Sequence, residues 1–166
     1  SMSSDTNTEG EIRKNLIENN LVDCMVALPT QLFYNTQIPA CLWFLARNRT
    51  NGKYRDRSQQ ILFIDARETG RMISRRQREL SEEDITRIGD LYHAWRSKDW
   101  EEKYNDIPGL CESVSIEEIR QNNYVLTPGR YIEFKEEEGD GVEFEEKMRK
   151  LTSQLKEQLN KARELD

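Results

Sequence analysis

Two apolar runs, 22–28 (VDCMVAL) and 40–46 (ACLWFLA), bracket the segment PTQLFYNTQIP, and this arrangement constrains the fold more than any other feature of the chain. Each run is too short for a strong helix and is rich in Val, Cys, Trp and Phe, so each reads as a buried strand. The prolines Pro29 and Pro39 exclude the stretch between them from a central strand, because proline offers no amide to a ladder. That stretch is therefore a loop. It places Phe33 and Tyr34 beside the polar residues Asn35, Thr36 and Gln37, and two adjacent aromatics on a loop are costly to leave in water.

The residues before the first run support a helix. Thr8 and Glu11 have the spacing of a capping box, Ile12, Leu16 and Ile17 form one apolar stripe, and Asn19-Asn20 tolerate the left-handed conformation of a helix end. Helix, strand, loop and strand in this order read as the closing section of a doubly wound α/β sheet. No opening strand precedes the helix, so the expectation is of a partial domain.

Charge is unevenly distributed. Between residues 47 and 78 ten Lys or Arg face three acidic residues, a local net of +7 in a chain whose formal net charge is −6. An asymmetry of this kind suits a protein with one edge against phosphate. Asn51-Gly52 is a strong turn signal, and Ile61–Ile64 reads as a third strand, antiparallel to and beside the second. The expected connection is a long basic hairpin whose tip carries Arg49, Lys53, Arg55 and Arg57 around Tyr54, all candidates for DNA-backbone contacts. The following ETGRMISRRQREL is basic and without regular pattern.

Ser81 with Glu82, Glu83 and Asp84 starts a second helix, whose inward face carries Ile85, Ile88, Leu91, Tyr92 and Trp95. His93, the only histidine, has no partnered nucleophile or carboxylate motif and reads as an ordinary helix residue. Leu110–Val114 suits a short strand, Ser115-Ile116-Glu117-Glu118 a short capped helix, and Thr127-Pro128-Gly129 a turn between hairpin arms at 124–126 and 130–134. Cys24, Cys41 and Cys111 lack metal-ligand spacing and read as reduced core thiols. Nothing approaches a membrane-spanning length of apolar residues, and SMSSDTNTEG lacks an apolar targeting region, so a cytoplasmic location is expected.

Three stretches together, VALPTQLFYNTQIPACLWFL, ITRIGDLYHAW and NNYVLTPGRYI, resemble in order and spacing the carboxy-terminal part of the modification (M) subunit of type I restriction-modification systems, an adenine-specific DNA methyltransferase. That family binds S-adenosylmethionine through a glycine-rich loop and the target base through an Asn-Pro-Pro-aromatic motif. No Pro-Pro pair occurs here, and no glycine-rich turn follows either apolar run. The resemblance thus implies a segment lying after the catalytic motifs. It should hold neither cofactor nor catalytic residues, contain no metal site and be inactive alone. S-adenosylmethionine would serve the intact subunit only.

The resemblance also implies roles and partners. The loop would form a wall of the target-base pocket through Phe33, Tyr34, Asn35 and Thr36, with double-stranded DNA as substrate and the specificity and restriction subunits as partners. Flipping the base is required because the adenine amine is stacked and paired inside the duplex. The expected organisation is 1–78 for the closing α/β part, 79–138 for a helical and hairpin region, and 139–166 for a tail helix. In that tail Leu151, Leu155 and Leu159 lie on one narrow seam suited to subunit docking. The competing reading is a stand-alone, non-enzymatic module that binds nucleic acid and oligomerises.

Overall fold

The computed structural model describes residues 2–3, 8–49, 52–101, 103–132, 148–149, 152–156 and 158. The chain divides into two units, 1–134 and 135–166. In the second unit residues 148–149, 152–156 and 158 are helical, and Leu155 is exposed. Leu151 and Leu159 lie outside the described residues, as does most of the expected tail helix.

The first unit begins with α1 (Thr8–Glu18), with Glu9 and Glu11 near the positive end of its dipole. It ends as its sequence implies: Asn20 takes φ 56°, and the Leu21 amide donates to the Leu16 carbonyl at 3.0 Å. The buried face is narrower than the apolar stripe suggested. Ile17 is enclosed, Ile12 faces solvent, and Arg13 is buried because its Nε donates to the Tyr124 carbonyl at 2.6 Å.

A four-stranded mixed sheet follows, made by β1 (Val22–Ala27), β2 (Cys41–Leu45), β3 (Gln60–Asp65) and β6 (Cys111–Ser115) in the order β2-β1-β3-β6. β1 and β3 are parallel, with Cys24 opposite Leu62 and Ala27 opposite Asp65; β2 and β6 run antiparallel at the two edges. The expected β2–β3 neighbour pair is therefore corrected. β1 lies between them, so the chain passes from β2 to β3 across the start of β1 and the two strands do not form a hairpin. The reason is burial: all six residues of β1 are buried, so both its edges must be paired, whereas every residue of β2 is half-buried or exposed. The second apolar run is thus an edge strand with Leu42, Phe44 and Leu45 exposed, where the sequence suggested a buried one.

A bulge in β1 shifts the register between Val22 and Cys24. On the two sides of the sheet the side chains alternate with period two. Met25, Ile61, Phe63 and Val114 pack with Ile17 of α1, with Ile116 and Ile119 of α3 (Ile116–Gln121), and with Leu126, Tyr131 and Ile132. Cys24, Val26, Leu62 and Ile64 pack with Trp95 of α2 (Glu82–Arg96). Each fully buried Ile, Leu or Phe contributes about 1.5–3 kcal/mol, so the sheet is held from both faces. The boundary expected at residue 78 is absent, because β6 and α2 complete the same sheet and core.

Helix α2 starts at Ser81, whose hydroxyl accepts from the Asp84 amide at 3.1 Å while the Asp84 carboxylate accepts from the Ser81 amide at 2.9 Å. Its inward face is as expected except for Ile85, which is exposed. Ser115 caps α3 by its hydroxyl, which accepts from the Glu118 amide at 3.2 Å, without the return bond that Asp84 makes. Two segments differ from expectation. The basic stretch after β3 forms a two-stranded ribbon, β4 (Arg71–Met72) and β5 (Arg78–Glu79). The hairpin expected around Thr127-Pro128-Gly129 is instead a 3-10 turn, Pro128–Arg130, because Tyr131 is drawn inward to stack on Phe63 with ring centroids 4.6 Å apart.

Candidate nucleic-acid interface

Residues 28–40 leave the sheet at the carboxy-terminal end of β1 and return as β2, closed at the base by the Leu28 amide donating to the Ala40 carbonyl at 2.8 Å. Leu32 turns inward to the α2-side core. Beyond it Phe33 and Thr36 form a single bridge, and the Thr36 hydroxyl accepts from the Ile38 amide at 3.1 Å. The aromatic pair is thereby held out. Phe33 is 50% and Tyr34 89% exposed, with Asn35 exposed and Thr36 half-buried beside them. Leu32, one residue earlier, anchors the loop, which leaves both aromatic rings available. Open α/β sheets bind ligands beyond the carboxyl ends of their strands, and this loop stands at that end of the parallel pair.

The basic residues expected beside it lie elsewhere. Arg49 and Arg57 are 2% and 3% exposed, and both meet the buried carboxylate of Asp23: Arg49 Nε at 2.8 Å and Arg57 Nε at 3.0 Å, both on Oδ1. Arg49 also donates to Asn20 Oδ1 at 2.7 Å and to the Gln60 carbonyl. Tyr92 donates its hydroxyl to Asp23 Oδ2 at 2.7 Å. Arg55 is half-buried, donating to the Trp95 carbonyl and to Gln60 Oε1, with its guanidinium 4.7 Å from the Trp95 ring. Lys53 is exposed, its ammonium 5.4 Å from the Tyr54 ring.

This corrects the expected basic edge. Arg49 and Arg57 clamp both ends of the 46–59 crossing onto one carboxylate and have no charge to offer phosphate. Asp23 on β1 and Leu28 just past its end are five residues apart, so the clamp and the aromatic loop are separated by roughly 16 Å at about 3.3 Å per residue. Burial pushes the Asp23 carboxyl up, but hydrogen bonds from Arg57 and Tyr92 and the charge of Arg49 outweigh it and hold the group below its ordinary value. Burial pulls Arg49 down; with Asp23 against it the guanidinium stays charged. Tyr92 is pushed up to about 12 by burial and by its bond to the Asp23 carboxylate. The sequence carried one sign of this clamp: Asp23 interrupts an otherwise apolar run.

Burial pushes the Cys24, Cys41 and Cys111 thiols up, as suits core thiols. His93 stacks on Trp100, with ring centroids 5.1 Å apart. Among the described residues no group of three or more His, Cys, Asp or Glu side chains could hold a metal ion, and no helix is long and apolar enough to cross a membrane. The parallel strands β1 and β3 run into Leu28-Pro29-Thr30 and the 66–70 turn, whose one glycine is Gly70; neither enters a helix directly, and Asp65 is engaged by Arg67 Nε at 2.8 Å.

Residues 1–140 match the family model described as N-6 DNA Methylase. The chain belongs to the N-6 DNA methylase family. Within it, the segment is 52% identical over 166 residues to the type I restriction enzyme HindI methylase subunit of Haemophilus influenzae, covering 100% of this chain and 35% of that protein. It is 42% identical over 159 residues to the MjaIX methylase subunit of Methanocaldococcus jannaschii, covering 96% and 27% respectively. Among solved structures, the type I restriction-modification methyltransferase subunit of Streptococcus thermophilus superposes with a TM-score of 0.63 at 31% identity, over 76% of this chain and 24% of that one. The mixed sheet with helices on both faces is therefore a methylase-family fold. The segment spans about a third or less of the relatives it matches. A stand-alone binding module is not favoured, since the matched proteins are methylase subunits.

Proposed function

We propose that this chain is part of a type I restriction-modification methylase subunit that transfers the methyl group of S-adenosylmethionine to the exocyclic amine of adenine in DNA, and that it builds a wall of the target-base pocket. The observation that carries the reading is the pair of exposed rings, Phe33 and Tyr34, held by a braced loop at the carboxyl end of the parallel strands. A flipped base needs an aromatic or apolar surface to replace the stack that it has left. Asn35 and Thr36 shape the turn that presents the rings. Methyl-donor binding and proton removal from the amine belong, in this reading, to residues outside this segment, which alone is inactive.

The same reading gives the chain double-stranded DNA as substrate, the specificity and restriction subunits as partners and the cytoplasm as its location. The seam of Leu151, Leu155 and Leu159 serves as its docking element. The decisive experiment replaces Phe33 and Tyr34 singly by Ala in the full-length subunit co-expressed with its specificity subunit, and measures methyl transfer to adenine. Stacking is worth about 1–3 kcal/mol per base, so loss of the stacking ring should slow transfer by roughly 5- to 150-fold. Undiminished transfer by both variants would remove the loop from the base pocket.

A further inference from the structure

The basic clamp under β1 leaves the proposed DNA-facing rim without the cations that a duplex needs, and the fold supplies another set. The ribbon β4–β5 emerges at the same end of the sheet as the aromatic loop. The Ala66 amide donates to the Ala27 carbonyl at 2.9 Å where β3 ends, and the Arg78 amide donates to the Gln31 carbonyl at 2.9 Å, joining ribbon to loop. Leu80, just after the ribbon, and Leu32, at the start of the loop, pack on the same core. Arg78 itself is a strut, with its guanidinium donating to the Thr69 carbonyl at 2.9 Å. Arg71, Arg75 and Arg76 are exposed, together with Met72 and Ile73. The tip is shaped by the Ile73 and Ser74 amides donating to the Gln77 carbonyl at 2.9 and 3.3 Å. Arg71 reaches only Glu79, 3.6 Å away and exposed, and Arg75 and Arg76 have no ion-pair partner among the described residues.

We propose that this ribbon, through Arg71, Arg75 and Arg76, is the phosphate-gripping element of the DNA interface, placed beside the base-pocket wall formed by Phe33 and Tyr34. The inference rests on the methylase reading and deepens it by relocating the backbone contacts from 49–57 to 71–76. Three exposed guanidiniums on a short twisted ribbon can each reach a phosphate oxygen, while Met72 and Ile73 between them supply apolar surface to the sugars and groove. The contact is independent of sequence, since phosphates are the same at every base step.

The test compares salt dependence of binding to a mixed-sequence DNA duplex for the full-length subunit, the triple variant Arg71→Gln, Arg75→Gln, Arg76→Gln, and a control, Arg47→Gln with Lys53→Gln, at the other end of the sheet. Each phosphate contact contributes about 0.9 to the slope of log affinity against log salt, so the triple variant should lose about 2–3 from that slope and the control little. The charge-preserving variant Arg71→Lys, Arg75→Lys, Arg76→Lys should retain the slope, which separates lost charge from a disturbed fold. An unchanged slope in the Gln triple variant, or equal losses in the Gln and Lys variants, overturns the proposal. If the unaltered subunit with its specificity subunit bound duplex but methylated no adenine, the methylase reading would fall while the ribbon's salt response could still be read.

Discussion

Asp23 shows how one residue sets the charge map of the unit. A carboxylate on a bulged, fully buried strand must be compensated, and two arginines from the ends of a single crossing segment do so, with a tyrosine hydroxyl completing its bonds. Replacing Asp23 by Asn should destabilise the unit by about 3–5 kcal/mol, because it leaves two buried guanidiniums without a counter-charge. Urea unfolding measures this; a loss below about 1 kcal/mol would mean that the arginines find other partners. The pH dependence has a definite direction. The folded carboxyl is held below its unfolded value of about 3.9, so its contribution is complete above that pH and is lost as the pH falls through the lower folded value. The Asn variant should therefore show a shallower loss of stability below about pH 4 than the native chain.

Among the elements, the β4–β5 ribbon depends on one glycine. Gly70 takes φ +80°, and a Cβ there would stand 2.6 Å from the Glu79 carbonyl oxygen. Gly70→Ala should cost the ribbon at least about 1–2 kcal/mol from the left-handed backbone alone. Hydrogen exchange should then accelerate at the Ile73 and Arg78 amides, while the sheet amides of β1 and β3 stay protected. Equal acceleration throughout would show that the ribbon is not a separable element. Strand β2 presents the opposite problem, an edge with exposed Leu42, Phe44 and Leu45. Apolar edges of this kind associate in water, and lysines on an edge suppress it.

At the scale of the whole molecule, that edge predicts the behaviour of the isolated 166-residue chain. Its sedimentation coefficient should rise with concentration, and Leu42→Lys with Leu45→Lys should remove that rise. A native chain whose sedimentation does not change with concentration would mean that β2 is protected in some other way. Much of the architecture was readable beforehand where the signals were local: the asparagine end of α1, the capping of α2 by Ser81 and of α3 by Ser115, and three strands from apolar runs. The neighbour order of the strands was not. Residues 46–59 contain an Asn-Gly turn signal, but the choice between a hairpin and a crossing depends on which strand needs two partners.

The sequence by itself determined the family, the α/β class and the position of Phe33-Tyr34 on a loop, because these rest on local spacing, proline placement and motif order; that both rings stay exposed was decided by the fold. Only the tertiary structure decided what each arginine does. Residues 47–78 read as one basic stretch, yet folding encloses Arg49 and Arg57 around Asp23 and leaves Arg71, Arg75 and Arg76 exposed on a ribbon at the other end of β1. A charge in a sequence has a sign but no neighbourhood. Whether it binds a partner or holds the core together depends on the carboxylate that the fold brings to it and on the water that the fold excludes.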